Sequence, residues 1–137
     1  MDRVHLEQVS VSRPPLFLRW LKKQGLHVGL NLHPASGAQP HEARYTALAR
    51  VMGIDPLSRR YVPFNIVDRL FARAYFDTLL HPLEKQGVDF WWLDWQQGTR
   101  SQLAGLDPLM WLNHLHFYDL ARAGSKRPFI FSRWFGR

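Results

Sequence analysis

One stretch constrains this chain more than any other: Gly87-Val88-Asp89-Phe90-Trp91-Trp92-Leu93-Asp94. A glycine opens it, and bulky aromatic and branched residues dominate from Val88 to Leu93. Such a bounded run predicts a strand buried on both faces. It ends on Asp94, and a carboxylate there is costly unless it lies at a wet rim or has partners. In α/β proteins the carboxyl ends of parallel strands are where ligands bind. Alternation puts Phe90, Trp92 and Asp94 on one face, and Asp89, Trp91 and Leu93 on the other. An aspartate sharing its face with a large aromatic suits a sugar, whose C–H surface stacks on rings while a carboxylate handles its hydroxyls or anomeric carbon. The plainer alternative is an aspartate that caps the next loop or helix. Trp91, Trp92 and Trp95 around it, and Gln96 and Gln97 after it, favour a ligand site.

The flanking sequence alternates helix and strand signals. Pro14-Pro15 opens a helix, with Leu16, Phe17, Trp20 and Leu21 as its apolar stripe and Gly25 as its stop. Leu26 to Leu32 reads as a buried strand. Val28, Leu30 and Leu32 share one face of it, and Gly29, Asn31 and His33 the other. His33 either joins a site at the strand end or caps the following turn. A polar loop precedes a helix beginning at Pro40-His41-Glu42, with Tyr45, Leu48 and Met52 on one side and Gly53 at its end. Ile54 to Asn65 is an irregular connector, long enough to form a rim loop or to cover a site. Asp68 caps a helix in which Phe71, Tyr75 and Leu79 recur every four residues, and Pro82 is expected to kink or restart it before Gly87. After the central strand, Asp107-Pro108 starts a helix whose stripe is Leu109, Leu112, Leu115 or His116, and Leu120. Pro128 to Ser132 is the third strand, and Arg133 ends it as Asp94 ends the second. This order predicts an α/β fold with about three parallel strands and their helices. Right-handed crossovers would then gather Asn31, His33, Asp94, Trp95, Gln96 and Arg133 on one rim.

Composition narrows the function classes. With 137 residues, a hydrophobic share of 46% and a charged share of 21%, the chain is one small globular domain rather than a disordered segment. The net charge of +7 raises nucleic-acid binding, but the arginines are scattered, with no run longer than Arg59-Arg60. No nucleic-acid partner is expected. There is no cysteine, which excludes disulfides and thiol chemistry. Neither a signal peptide nor an apolar segment of membrane-spanning length is evident, so no membrane partner is expected and no compartment is assigned.

Gly-Val-Asp-Phe-Trp-Trp-Leu-Asp-Trp-Gln-Gln-Gly, residues 87–98, resembles the nucleophile strand of glycoside hydrolase family 31. That family comprises retaining α-glycosidases on a (β/α)8 barrel. Its Trp-x-Asp signature implies that Asp94 is the nucleophile. Better-known members continue Met-Asn-Glu. This chain continues Trp95-Gln96-Gln97, so it resembles a divergent branch that includes enzymes acting on α-linked N-acetylgalactosamine. Phe131-Ser132-Arg133 is similar to the family's Ser-Arg pattern near the bound sugar, and Asn31-Leu32-His33-Pro34 to a strand end of the divergent branch.

The resemblance implies an α-glucosidase-like or α-N-acetylgalactosaminidase-like site without cofactor or metal. Asp94 would be its catalytic residue, with Asn31, His33, Trp92, Trp95, Gln96, Gln97 and Arg133 binding the carbohydrate substrate. A (β/α)8 barrel takes roughly 250 residues, so residues 14–137 correspond to a middle portion of a (β/α)8 catalytic domain. Residues 1–13 do not match the family and read as a weak strand or a disordered start, with the native N-terminus missing. Retaining hydrolysis needs two carboxyl groups roughly 5–5.5 Å apart. In the family the acid/base follows a later strand, and Glu42, Glu84, Asp107 and Asp119 read as helix surface, start or interior. The chain is therefore expected to need the remainder of the barrel for folding, and alone to be unstable or aggregating and inactive. Two rivals remain. One is a non-catalytic carbohydrate-binding remnant. The other is a metal-dependent hydrolase using His33, His41, His114 or His116, although residues two apart on a helix point about 200° apart.

Overall fold

The computed structural model describes residues 14–95, 97–98, 100–122, 124 and 127–133. Three strands, β1 (Gly29–Leu32), β2 (Phe90–Leu93) and β3 (Phe131–Ser132), form a small parallel sheet in the order β1-β2-β3. Helix α1 (Pro14–Lys23) precedes β1. Helices α2 (Tyr45–Val51), α3 (Arg69–Ala74) and α4 (His81–Gln86) lie between β1 and β2, and α5 (Pro108–Ala121) lies between β2 and β3. The fold is thus mixed helix and strand around a three-stranded parallel sheet. Residues 1–13, the start of the chain, lie outside the described residues, as do Gln96 and 134–137.

Register sets the site. Leu32 pairs with Leu93 and Leu93 with Ser132, while Asn31 lies level with Trp92 and Trp92 with Phe131. The ladder then runs one residue further, because Asp94 donates its backbone N–H to Leu32 (3.0 Å) and Arg133 donates its own to Leu93 (3.0 Å). His33, Asp94 and Arg133 therefore follow the three strand ends side by side.

The strands are shorter than their apolar runs. Val28 does not enter β1, because its N–H is taken by the Asp89 carboxylate (3.0 Å). Its carbonyl turns to the N–H groups of Asp89 and Phe90. Pairing of β3 starts only at Phe131, three residues after Pro128, which has no N–H to donate. The central strand is also not buried on both faces. Trp91 and Leu93 are fully buried with Leu32, Phe71, Tyr75, Leu80 and Leu112 in the core. Phe90, Trp92, Phe129 and Phe131 stand outside that core. Phe90 meets Phe129 edge-on and Trp92 leans on Phe131, each at 5.5 Å between ring centres. Phe131 stays half exposed.

The helices follow their caps more closely than their stripes. Asp68 accepts from the Phe71 N–H (2.7 Å), and Asp107 accepts from Leu109 (2.9 Å) and Met110 (3.2 Å), with Pro108 in the first turn. On α5 the buried stripe is Leu109, Leu112, His116 and Leu120. The second helix starts at Tyr45, not at Pro40, because the Glu42 carboxylate bonds back to the Gln39 N–H (2.9 Å) and closes a turn before it. On α1 the expected stripe faces outward. Leu16, Phe17 and Trp20 are exposed and Leu18 alone is buried, in contact range of Gly87 after α4. Pro82 stands in the first turn of α4, where the long helical run restarts as an α-helix, as expected. Its ring would crowd the carbonyl of Thr78 in a regular α-helix. The run passes through a π-helical stretch, Tyr75–Leu80, before α4, and Arg44 donates to the Thr78 carbonyl instead (3.4 Å).

A polar chain ties the helices to β2. The buried Trp91 indole N–H donates to Glu84 (2.9 Å), and Glu84 pairs with Arg122. Arg122 also holds Asp119 (2.8 Å), which meets His81 (2.9 Å), and His81 reaches Asp77 (3.2 Å). Glu84 is thus not a plain surface residue: its side chain is tucked against the sheet by the tryptophan it receives.

Candidate functional site

Asp94 is 6% exposed at the end of β2. His33, one residue past β1, brings Nε2 to 3.6 Å from its Oδ2, and Arg133, one residue past β3, brings Nη1 to 3.3 Å from Oδ1. Each of the three strand ends contributes one group, so the sheet itself fixes the arrangement. His33 makes no capping hydrogen bond to the turn that follows it, Pro34–Ser36. Asp94 is flanked by two nitrogen-bearing side chains, an arrangement that can hold a carboxylate oxygen oriented toward an electrophile.

Asn31 lies level with Trp92, and its Oδ1 is buried without a hydrogen-bond partner among the described residues. An unused buried acceptor costs about 1–3 kcal/mol, and it suits a ligand hydroxyl. Gly29 on the same face has the Phe90 ring where a side chain would be.

A cleft of about 500 Å³ opens at the loop that follows β2, lined by none of His33, Asp94 and Arg133. Trp95 forms one wall, packed against Phe64 at 5.5 Å between ring centres, and Gln97, Arg100, Ser101 and Gln102 line the polar side. The loop around it is internally bonded. The Trp95 indole N–H donates to the Gly98 carbonyl (3.1 Å), the Ser101 hydroxyl lies 2.8 and 2.9 Å from the carbonyls of Leu103 and Leu106, and Gln102 donates to the Phe64 carbonyl (3.3 Å).

The expected residues divide accordingly. His33, Asp94 and Arg133 come together at the strand ends, and Asn31 and Trp92, level with each other, lie two residues earlier on their strands. Trp95 and Gln97 line the cleft, whereas Trp92 packs on Phe131 and does not wall it. Gln96 lies outside the described residues. Phe64, Arg100, Ser101 and Gln102 were missed. Phe64 belongs to the connector read as a rim loop, but no local signal distinguishes Arg100 from any other loop arginine.

The described carboxylates other than Asp94 have separate employment. Asp55, Asp68 and Asp107 cap turns or helices, Glu42 bonds Gln39, and Asp89 holds Val28 at the opposite end of β2. Asp77, Glu84 and Asp119 belong to the polar chain between α4 and α5. Burial raises the pKa of Asp119, opposed by His81 and Arg122, and burial raises that of Glu42.

His81, Glu84 and Asp119 place ligand atoms within 4.8 Å of one another, a spacing that suits a metal ion. The Arg122 guanidinium already pairs with both carboxylates there. The histidines weighed from sequence do not converge: His116 is buried against Tyr75 (3.1 Å), while the exposed His114 stacks on Trp111. No described helix is long and apolar enough to cross a membrane. No family model and no curated protein matches the chain.

Proposed function

We propose that this chain carries the nucleophile portion of a retaining α-glycoside hydrolase, α-glucosidase-like or α-N-acetylgalactosaminidase-like, with Asp94 as nucleophile. The observation that carries the reading is the buried Asp94 carboxylate between His33 and Arg133 at three parallel strand ends. That is the rim on which parallel barrels build their sites. The sequential strand order and the aromatic face left outside the core fit residues 14–137 as a middle portion of a (β/α)8 domain, whose remaining strands would fill that face.

In this reading Asp94 attacks the anomeric carbon and forms a glycosyl ester, while His33 and Arg133 orient its two oxygens. The unused Asn31 acceptor takes a hydroxyl of the sugar, and Trp95 offers an apolar wall. The second carboxyl group that retention requires is not supplied by the described residues. A leaving group that needs protonation would therefore depart slowly. An α-glycosyl fluoride needs no such proton, and azide can replace the water that a general base would activate. Because the chain alone is expected to be inactive, the test supplies residues 14–137 with the remaining strands of a (β/α)8 barrel whose acid/base carboxylate has been removed, and incubates that assembly with α-glucosyl and α-N-acetylgalactosaminyl fluorides plus azide. The reading predicts an α-configured glycosyl azide, lost in Asp94→Asn. A β-configured azide, or no azide product with either sugar, contradicts it. Sugar binding that survives in both proteins without any azide product would instead favour the carbohydrate-binding remnant.

A further inference from the structure

His33 and Arg133 flank Asp94 from strands that are held unequally. β1 pairs with β2 over four residues, Gly29 to Leu32, whereas β3 pairs with it over two, Phe131 and Ser132. Arg133 reaches Asp94 with a side chain that is 46% exposed, and an ion pair so open to solvent gains little from charge alone. Where β3 ends therefore decides where the guanidinium lies. A side chain from α5 meets that end. Asn113 donates its amide to the Oγ of Ser132 (3.1 Å), the residue before Arg133. Asn113 follows Leu112, which is fully buried in the core, so its backbone is anchored. Its Oδ1 is buried without a hydrogen-bond partner among the described residues. An orphaned acceptor is costly, so what this asparagine contributes is its bond to Ser132.

We propose that Asn113 is a positioning residue for the Asp94 site: through Ser132 it holds the end of β3, and with it Arg133, against the Asp94 carboxylate. The effect on the reaction rests on the glycoside reading above. The hold on β3 rests on the geometry alone.

The test uses residues 14–137 assembled with the remaining barrel strands, as above, and has two readouts. Amide hydrogen exchange followed by NMR compares the Arg133 N–H, bonded to Leu93, with the Asp94 N–H, bonded to Leu32. In Asn113→Leu, and separately in Ser132→Ala, the Arg133 amide should exchange about tenfold faster while the Asp94 amide keeps its rate. Both amides changing together, as general loosening of the fold would give, or neither changing, overturns the proposal. The second readout is the rate of glycosyl azide formation. Asn113→Leu should slow it about tenfold in the parent, and by less than about twofold when Arg133→Ala is already present. Equal losses in both backgrounds overturn the positioning role and leave the glycoside reading standing. If even the parent assembly forms no azide, the glycoside reading falls, and the exchange rates alone decide whether Asn113 holds Arg133 in place.

Discussion

Acid should unfold this protein through His116. Its side chain is 1% exposed, 3.1 Å from the Tyr75 hydroxyl and edge-on to Phe76 at 5.0 Å. Burial lowers its pKa from 6.5 to about 3, and the pKa of Tyr75, also buried, moves upward, so this tyrosine stays neutral. In the unfolded chain His116 takes up a proton near pH 6.5, whereas in the folded chain it does not until about pH 3. Stability is therefore fully present above the unfolded value and is lost as pH falls through that window. At 1.36 kcal/mol per pH unit, about 2 kcal/mol is lost by pH 5 and about 3.4 kcal/mol by pH 4. That is a large part of an ordinary domain stability of roughly 5–15 kcal/mol. Asp119 and Glu42 act in the opposite sense, because their raised values favour folding as they protonate. The His116 contribution is isolated by comparison with His116→Gln, which keeps a polar partner for Tyr75 but does not titrate. Urea unfolding at pH 7.5 and pH 5.0 should show a loss about 2 kcal/mol larger in the parent than in the variant. Equal losses, or an NMR titration of native His116 near 6.5, would refute the argument.

Two further outcomes follow from the packing. Arg122→Met leaves the Glu84 and Asp119 carboxylates facing each other without their shared cation. Because the guanidinium is 39% exposed and partly screened by solvent, the expected loss is about 1–2 kcal/mol in urea unfolding at neutral pH, and an unchanged midpoint would show the network to be idle. Gly37→Ala should be worse. Gly37 has φ 68°, and a Cβ there would strike the Val62 carbonyl, beside the Ala38–Val62 bridge that leads the chain to Phe64. A loss of roughly 2–4 kcal/mol is expected from the backbone strain and the overlap together, and thermal unfolding within a degree of the parent would contradict it.

What could be read from the sequence were features fixed by local chemistry. Asp68 and Asp107 announce helix starts because a short carboxylate beside free N–H groups has few better uses. The runs ending at Leu32, Leu93 and Ser132 announce parallel strands, and counting one residue past each brings His33, Asp94 and Arg133 level. What failed depended on distant partners. The α1 stripe is apolar at helical spacing, yet Leu18 is the residue that meets α4 while Phe17 and Trp20 face outward. One side of β2 is fully buried and the other only partly, and period-two alternation cannot say which is which. Pro82 marks the start of α4, but no local pattern announces the π-helical stretch before it, whose Thr78 carbonyl accepts from Arg44 at the start of α2. Glu84 looks like helix surface until the Trp91 indole is placed against it.

Mass spectrometry reads directly the proposed covalent bond between Asp94 and a sugar. A 5-fluoro-α-glycosyl fluoride combines a leaving group that needs no acid with an intermediate slow to break down. After incubation with residues 14–137 assembled into a complete barrel, a mass gain of one fluoroglycosyl unit is expected, mapped by peptide digestion to Asp94 and absent in Asp94→Asn. An unmodified Asp94 peptide, or an adduct on another residue that persists in Asp94→Asn, would contradict it.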